Sequence, residues 1–399
     1  MDFSTPPALE TLLTRIRDFM RAEVYPLEME MGRANGSLRA IAPILAKTRA
    51  RVKAEGLFGP QIPKDYGGMG LGMMEHARVS EELGRSPLGH YVFNCQAPDA
   101  GNMEILHQFG TDALKQQYLR PLTAGEIRSC FSMTEPDAPG SNPTWLETSA
   151  VSDGDHYVIN GRKWFTSSAD GSKFAIVMAV TNPEAAAHSR ASMIIVPTDS
   201  PGYDRVRNIK IMGDAGEGWA SHAEIWYRDV HVPIANRLGP EGAGFLIAQE
   251  RLGPGRIHHC MRWIGICERV FDTMCRHVTH RKIDIDEKTL ATRQIVQAWV
   301  AEARAEIDAS RLMVLHASWT IENKGFHVAR DQVSAIKFYV ADVMMRVIDR
   351  AVQLHGALGI TSDTVLGHYY VHERGARIYD GPDEVHKMVL AKRILARYA

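Results

Sequence analysis

The string Arg377-Ile378-Tyr379-Asp380-Gly381-Pro382-Asp383-Glu384-Val385-His386 concentrates groups able to do chemistry. Asp380 stands beside a glycine and a proline, directly before an apolar-periodic run that ends in Lys392-Arg393. That order reads as a loop feeding a helix, with Asp383 able to cap it. A carboxylate on such a turn can remove a proton, and Gly381 lets a ligand approach the backbone closely. The alternative is an acidic helix start favoured by the helix dipole.

Four further segments carry groups of interest. In Phe131-Ser132-Met133-Thr134-Glu135-Pro136, continuing to Gly140-Ser141, backbone amides and the Thr134 and Ser141 hydroxyls suit a polar heterocycle and a phosphate. A linker between domains reads equally well there. Trp164-Phe165-Thr166 offers a large aromatic and a hydroxyl, which suits covering a flat ring or, alternatively, a place in the core. Gly253-Pro254-Gly255-Arg256 reads as the mouth of a long helix, where Arg256 could fix a carboxylate, a phosphate or an acidic neighbour. His280-Arg281-Lys282, followed by Arg293-Gln294, reads either as helix-end cations answering the dipole or as a pyrophosphate clamp. His258 and His259 are adjacent and so face different sides of a helix. His277 and His280 could share a face, yet nothing nearby completes a zinc set, so no metal is expected.

These residues need a scaffold, and the periodicity describes one in three parts. Residues 1–128 carry helical periods, including the stripe Leu9, Leu12, Leu13, Ile16 and Phe19–Met20. Over residues 129–238 the period changes to two. Asn160-Gly161 there reads as a type I′ hairpin turn inside His156–Phe165, and Phe174–Val180, Ser192–Pro197 and Ala223–Tyr227 read as strands. The strand spacing is too tight for crossover helices, so an antiparallel barrel or sandwich is expected. Residues 239–399 return to helical periods through Gly244–Glu250, Ile257–His280, Leu290–Asn323 and Val328–His355, the pattern of a four-helix bundle.

The 399 residues carry 46 basic and 47 acidic side chains, a balance that supports neither nucleic-acid binding nor attraction to anionic membranes. The five cysteines form no Cys-x-x-Cys pair and fit a reducing compartment. No apolar run approaches the ~20 residues needed to cross a bilayer, and the N-terminus lacks a signal-peptide pattern. A bacterial cytoplasmic protein is the expectation.

Taken together and in order, the motifs resemble the acyl-CoA dehydrogenase flavoprotein family over essentially the whole chain. Pro63-Lys64-Asp65-Tyr66-Gly67-Gly68-Met69-Gly70 is similar to its Pro-x-x-Tyr-Gly-Gly-x-Gly loop. Met133-Thr134-Glu135-Pro136 with Gly140-Ser141 resembles its flavin and acyl-CoA signature. Asn160-Gly161-x-Lys163-Trp164 with Thr166, Asp229-Val230-x-Val232-Pro233, Gly242-x-Gly244-Phe245 and Gln353-x-x-Gly356 continue the match. The Asp-Gly-Pro-Asp-Glu-Val-His string resembles the branch that includes family members ten and eleven.

The resemblance implies α,β-dehydrogenation of an acyl-CoA, with fatty-acid β-oxidation as the setting. Asp380 would take the α-proton and flavin N5 the β-hydride, with the Asp380 amide polarising the thioester carbonyl and an apolar pocket around the base. The implied FAD contacts are Met133, Thr134, Trp164, Thr166, Pro382, Asp383 and Glu384. Arg281, Gln294, Gln353 and Gly356 would meet a partner subunit's FAD. Ser141, Gly253, Arg256 and Gly381 would line the substrate site. Electron-transfer flavoprotein is the implied acceptor, and a homodimer or homotetramer the implied assembly. The family usually places glutamate where Asp380 stands, and aspartate is about 1.5 Å shorter in reach. Two other readings fit the same scaffold: a nitroalkane oxidase, whose relatives also use an aspartate base, and a catalytically idle FAD-bound interaction protein.

Overall fold

The apolar stripe near the N-terminus becomes the buried face of α1 (Pro7–Phe19), where Leu9, Leu13, Ile16 and Phe19 point inward in the computed structural model, which describes residues 4–399. Further helices follow: α2 (Tyr25–Arg33), α3 (Ala42–Ala54), α4 (Met73–Gly84), α5 (Gly89–Val92), α6 (Asp99–Phe109), α7 (Asp112–Leu114) and α8 (Arg120–Thr123). The β region supplies β1 (Ser129–Ser132), β2 (Ser149–Asp153), β3 (His156–Ser167), β4 (Phe174–Val180), β5 (Ala191–Pro197), β6 (Tyr203–Asn208), β7 (His222–Pro233) and β8 (Arg237–Leu238). The chain then forms α9 (Gly244–His280), α10 (Gln294–Lys324), α11 (Phe326–His355), α12 (Val365–Glu373) and α13 (Asp383–Leu395). No helix among the described residues is long and apolar enough to cross a membrane.

The chain divides into two compact units. One gathers the chain up to Gly36, Leu71–Val92 and Pro254–Ala399, and its core is a continuous cluster led by Trp263, Ile264, Val340, Val347 and Tyr369. The other gathers Ser37–Gly70 and Phe93–Gly253 and holds the whole sheet. In the sheet, β4 and β5 are buried on both faces, because apolar clusters pack on each side of them. Strand order is β6-β7-β3-β1-β4-β5-β8, with β2 joined to β3 and β4. Pairings are antiparallel except that β4 lies parallel to both β1 and β2.

Two expectations are corrected. Asn160-Gly161 is not a hairpin turn but lies inside the single long strand β3, and the turn falls instead at Gly154-Asp155, between Asp153 and His156. Gly161 is needed for a close approach, since a Cβ there would come within 2.4 Å of the Thr148 hydroxyl. The Asn160 side chain donates to Asp229 Oδ1 at 2.9 Å and accepts from the Asp229 amide at 2.8 Å. It therefore pins a bulge on β7, where Asp229 has φ +51°. A second bulge at Phe165, φ +48°, inserts one residue into β3 and restores the original register. Gly253-Pro254-Gly255 is likewise not a helix mouth: α9 runs through it, with Pro254 inside.

A buried ion pair anchors the start of the sheet. Lys163 is completely buried, and its ammonium donates to the Met133 carbonyl at 2.8 Å and to Glu135 Oε1 at 2.8 Å. Glu135 also accepts the amides of Glu147 and Thr148. Burial pulls Lys163 down to about 8 against the opposing effect of Glu135. Removing one member of such a pair leaves an uncompensated charge, at about 3–5 kcal/mol. Lys163→Met should lower the unfolding free energy by that amount in urea titration. An unchanged midpoint would show that Glu135 is satisfied by its amide donors alone.

Candidate active site

The Asp380 turn is built from two residues in the left-handed region, with φ +55° at Asp380 and +96° at Gly381. Aspartate is among the few side chains that tolerate this conformation, and glycine adopts it freely. Any Cβ on Gly381 would also press on the His386 ring, 2.8 Å from Nε2. Three side chains lock the turn through its carbonyls. Arg256 donates to the Asp380 carbonyl from Nε (3.3 Å) and Nη2 (3.2 Å), and His386 Nε2 lies 3.1 Å from the same oxygen. Lys337, fully buried on α11, donates to the Ala376 carbonyl at 2.7 Å and the Gly381 carbonyl at 3.1 Å.

The Asp380 carboxylate retains 22% exposure, and its Oδ2 lies 3.3 Å from His259 Nε2. Burial lowers both Arg256 and Lys337, and the Asp380 charge opposes it in each case. The expectation of a purely apolar pocket is therefore corrected: within this unit Asp380 is set among two cations and two imidazoles. Tyr379, immediately before it, is half-buried. Its hydroxyl accepts from Arg262 at 3.0 Å and from Trp263 Nε1 at 3.3 Å.

Asp383 does not cap α13. Pro382 holds the cap position, and Asp383 is buried in the first turn with Oδ2 accepting from Arg377 Nε at 2.7 Å. That pairing engages Oδ2 and leaves Oδ1 buried without a partner among the described residues, whereas Glu384 is exposed and Pro382 half-buried. Arg281, Gln294, Gln353 and Gly356 are all exposed, at the ends of α9, α10 and α11.

In the sheet unit, Met133 and Thr134 follow β1 and are half-buried, and the Trp164 amide donates to the Thr134 carbonyl at 3.0 Å. The Phe165 bulge separates Trp164 from Thr166. Trp164 is half-buried and Phe165 is 41% exposed, while Thr166 is fully buried with its hydroxyl 3.1 Å from that of Ser132. Thr166 is thus corrected from a cofactor contact to an internal sheet residue. Trp164 Nε1 is a buried donor with no partner among the described residues, the kind of group a bound heterocycle satisfies. Together with Met133 and Thr134 it fits one edge of a flavin. Ser141 is exposed, and Gly253 is buried within α9.

Sequence reading missed His259, Lys337 and Tyr379. Lys337 left a signal, a lone cation between Val333 and Val340 on an otherwise apolar stripe. A cleft of about 570 Å³ in the helical unit is lined by Arg17, Arg85 and Arg269, but these pair with Glu10, Glu82, Asp272 and Glu28 and offer no reactive group.

Family models for acyl-CoA dehydrogenase match the chain in succession: the N-terminal domain over residues 6–126, the middle domain over 130–230 and the C-terminal domain over 242–395. The chain is 44% identical to "Probable acyl-CoA dehydrogenase FadE2" of Mycobacterium tuberculosis, covering 100% of this chain and 98% of that one. It is 39% identical to acyl-CoA dehydrogenase family member 11 of Gallus gallus over 96% of its own length, and spans 50% of that relative. Among solved structures, a Mycobacterium abscessus protein proposed to be an acyl-CoA dehydrogenase superposes with a TM-score of 0.95 at 38% identity, both chains being covered completely.

The helical unit also holds a group of histidines whose burial disfavours their charged form. His76 and His258 have ring centroids 3.8 Å apart, and His76 Nε2 and His258 Nδ1 are buried without partners among the described residues. Burial lowers His258 to about 3 and His259 and His386 to about 4, and it takes His76 and His90 well below the usual range. A histidine depressed in the folded state binds fewer protons than in the unfolded chain. Its contribution is complete above an unfolded value of about 6.5 and is lost as pH falls towards the folded value. Each such histidine adds a slope of roughly 1.4 kcal/mol per pH unit in that window. Stability measured by urea unfolding should fall between pH 6.5 and 5, and His76→Leu should flatten that slope by about 1 kcal/mol per unit. An unaltered slope would mean that His76 is protonated in the fold.

Proposed function

We propose that this chain, which belongs to the acyl-CoA dehydrogenase family, oxidises an acyl-CoA thioester to the trans-2-enoyl-CoA with Asp380 as the base. The protein is an oxidoreductase with FAD as its cofactor. When bound, FAD supplies the hydride acceptor for the β-hydrogen. The remaining work falls to side chains of the chain itself.

Asp380 removes the α-proton, and the observation that carries this role is the held left-handed turn with its partly exposed carboxylate. Arg256, Lys337 and His386 fix the backbone from which the carboxylate projects. Misplacement by about 1 Å can cost ~100-fold in rate, which makes such fixing worthwhile for a short base. The Asp380 amide and Gly381 face the thioester, while Ser141, Gly253 and Arg256 complete the substrate lining. Met133, Thr134 and Trp164 hold the flavin edge, with Pro382 and Glu384 nearer the adenosine.

The exposed Arg281, Gln294, Gln353 and Gly356 serve the FAD of a partner copy in a homodimer or homotetramer. Electron-transfer flavoprotein takes the electrons, fatty-acid β-oxidation is the setting, and the bacterial cytoplasm the location. The division at residues 1–128, 129–238 and 239–399 belongs to the same proposal.

Anaerobic titration of the yellow protein with butyryl-, octanoyl- and palmitoyl-CoA should bleach the flavin. Asp380→Asn should retain FAD and lose bleaching by at least ~100-fold, the scale expected for a lost general base. Oxygen consumption with nitroethane and indifference to CoA esters would establish a nitroalkane oxidase instead. Unchanged behaviour in Asp380→Asn, without bleaching in either protein, would indicate an idle scaffold.

A further inference from the structure

We propose that His259 is a positioning residue for the Asp380 carboxylate. The inference rests on the reading of Asp380 as the base. Arg256, His386 and Lys337 act on backbone carbonyls, and none of those bonds determines where the side chain itself points. His259 Nε2 lies 3.3 Å from Asp380 Oδ2 and so addresses the side chain directly.

His259 is itself held in place. Its ring stacks on Trp263, one helical turn along α9, with centroids 6.0 Å apart and planes at 24°. It also packs against Tyr379, the residue before Asp380, at 5.4 Å. Trp263 is fully buried, and Tyr379 is tied to Arg262 and Trp263. Arg262 in turn forms a paired contact with Glu373 at 2.5 and 2.7 Å. Trp263 and Tyr379 also pack on each other, with centroids 6.2 Å apart, so the imidazole rests against a pair of rings that are bonded together.

Burial keeps this imidazole neutral at physiological pH, near 4. A neutral ring with its proton on Nε2 presents an N–H towards the carboxylate 3.3 Å away, and a small rotation of either side chain aligns that approach into a hydrogen bond. A third full cation beside Arg256 and Lys337 would favour the charged carboxylate more strongly and oppose proton uptake. Neutral donation orients the base while leaving it free to accept a proton.

The test separates proton removal from hydride transfer. 3-Thiaoctanoyl-CoA has sulfur at the β position and no β-hydrogen to lose, so exchange of its α-hydrogen in deuterium oxide reports the base alone. The FAD-loaded protein is compared with His259→Phe, which keeps a ring against Trp263 and Tyr379 but has no donor, and with His259→Gln, whose amide restores an N–H near the Nε2 position. His259→Phe should slow exchange roughly 10–100-fold, the range for a misplaced reacting group. Its FAD content and its dissociation constant for the same ester should be retained, and His259→Gln should recover most of the rate. His259→Leu, which also has no donor, replaces the Phe variant if that protein does not fold.

Wild-type exchange in His259→Phe would overturn the proposal, and so would equal loss in the Phe and Gln variants, which marks a packing role. Asp380→Asn serves as the control. If it still exchanges the α-hydrogen, the base assignment itself fails, a result distinct from failure of His259.

Discussion

Backbone carbonyls held by buried cations are the constraint on which both units depend. In the helical unit, Arg256 and Lys337 fix the carbonyls of Ala376, Asp380 and Gly381, and so stabilise two successive left-handed residues. In the sheet unit, Lys163 grips the Met133 carbonyl and Glu135 at the end of β1. A buried ammonium is costly, and it survives where several strong acceptors surround it. In both places the acceptors belong to an irregular segment that has no ladder or helix partner to take them. The lysine stands in for the missing secondary structure, and the segment it holds carries the candidate chemistry.

This arrangement also accounts for an aspartate at the base position. A left-handed backbone disfavours most side chains, and aspartate is one of the exceptions. The turn sets the direction in which the Cα–Cβ bond leaves the backbone, and the rotamer of the side chain is set separately. Reach is then a property of the whole turn and of the helices α9, α11 and α13 that hold it, rather than of one methylene group.

Much of this was legible in the sequence, for reasons that differ by element. Strand β4, a continuous apolar run, and the helices α11 and α13, with their apolar stripes, were read nearly to their ends, because a signal carried by many residues averages out local exceptions. The family resemblance drew Asp380, Trp164 and Arg256 from motifs spread along the chain. What escaped were features set by long-range partners. Asn160-Gly161 has hairpin chemistry, yet its partner is Asp229, far along the chain. Pro254 normally ends a helix, but α9 continues past it. Asp383 has capping chemistry but is claimed by Arg377. Thr166 sits two residues from Trp164, and only the Phe165 bulge turns it inward. His259 looked like one of an adjacent pair until the fold set it against Asp380.

The two bulges on β3 and β7 constrain each other. The extra residue at Asp229 displaces β3 against β7 by one position, and the extra residue at Phe165 displaces it back. Between them only the stretch from Gly161 to Lys163 runs out of step with the rest of the ladder. Deleting either residue alone would turn every side chain beyond it to the opposite face of the sheet. Deleting both would leave the two ends in register. The pair therefore behaves as a single heritable unit, in which a gap in one strand is tolerated only when it is matched by a gap in the other, some sixty residues away.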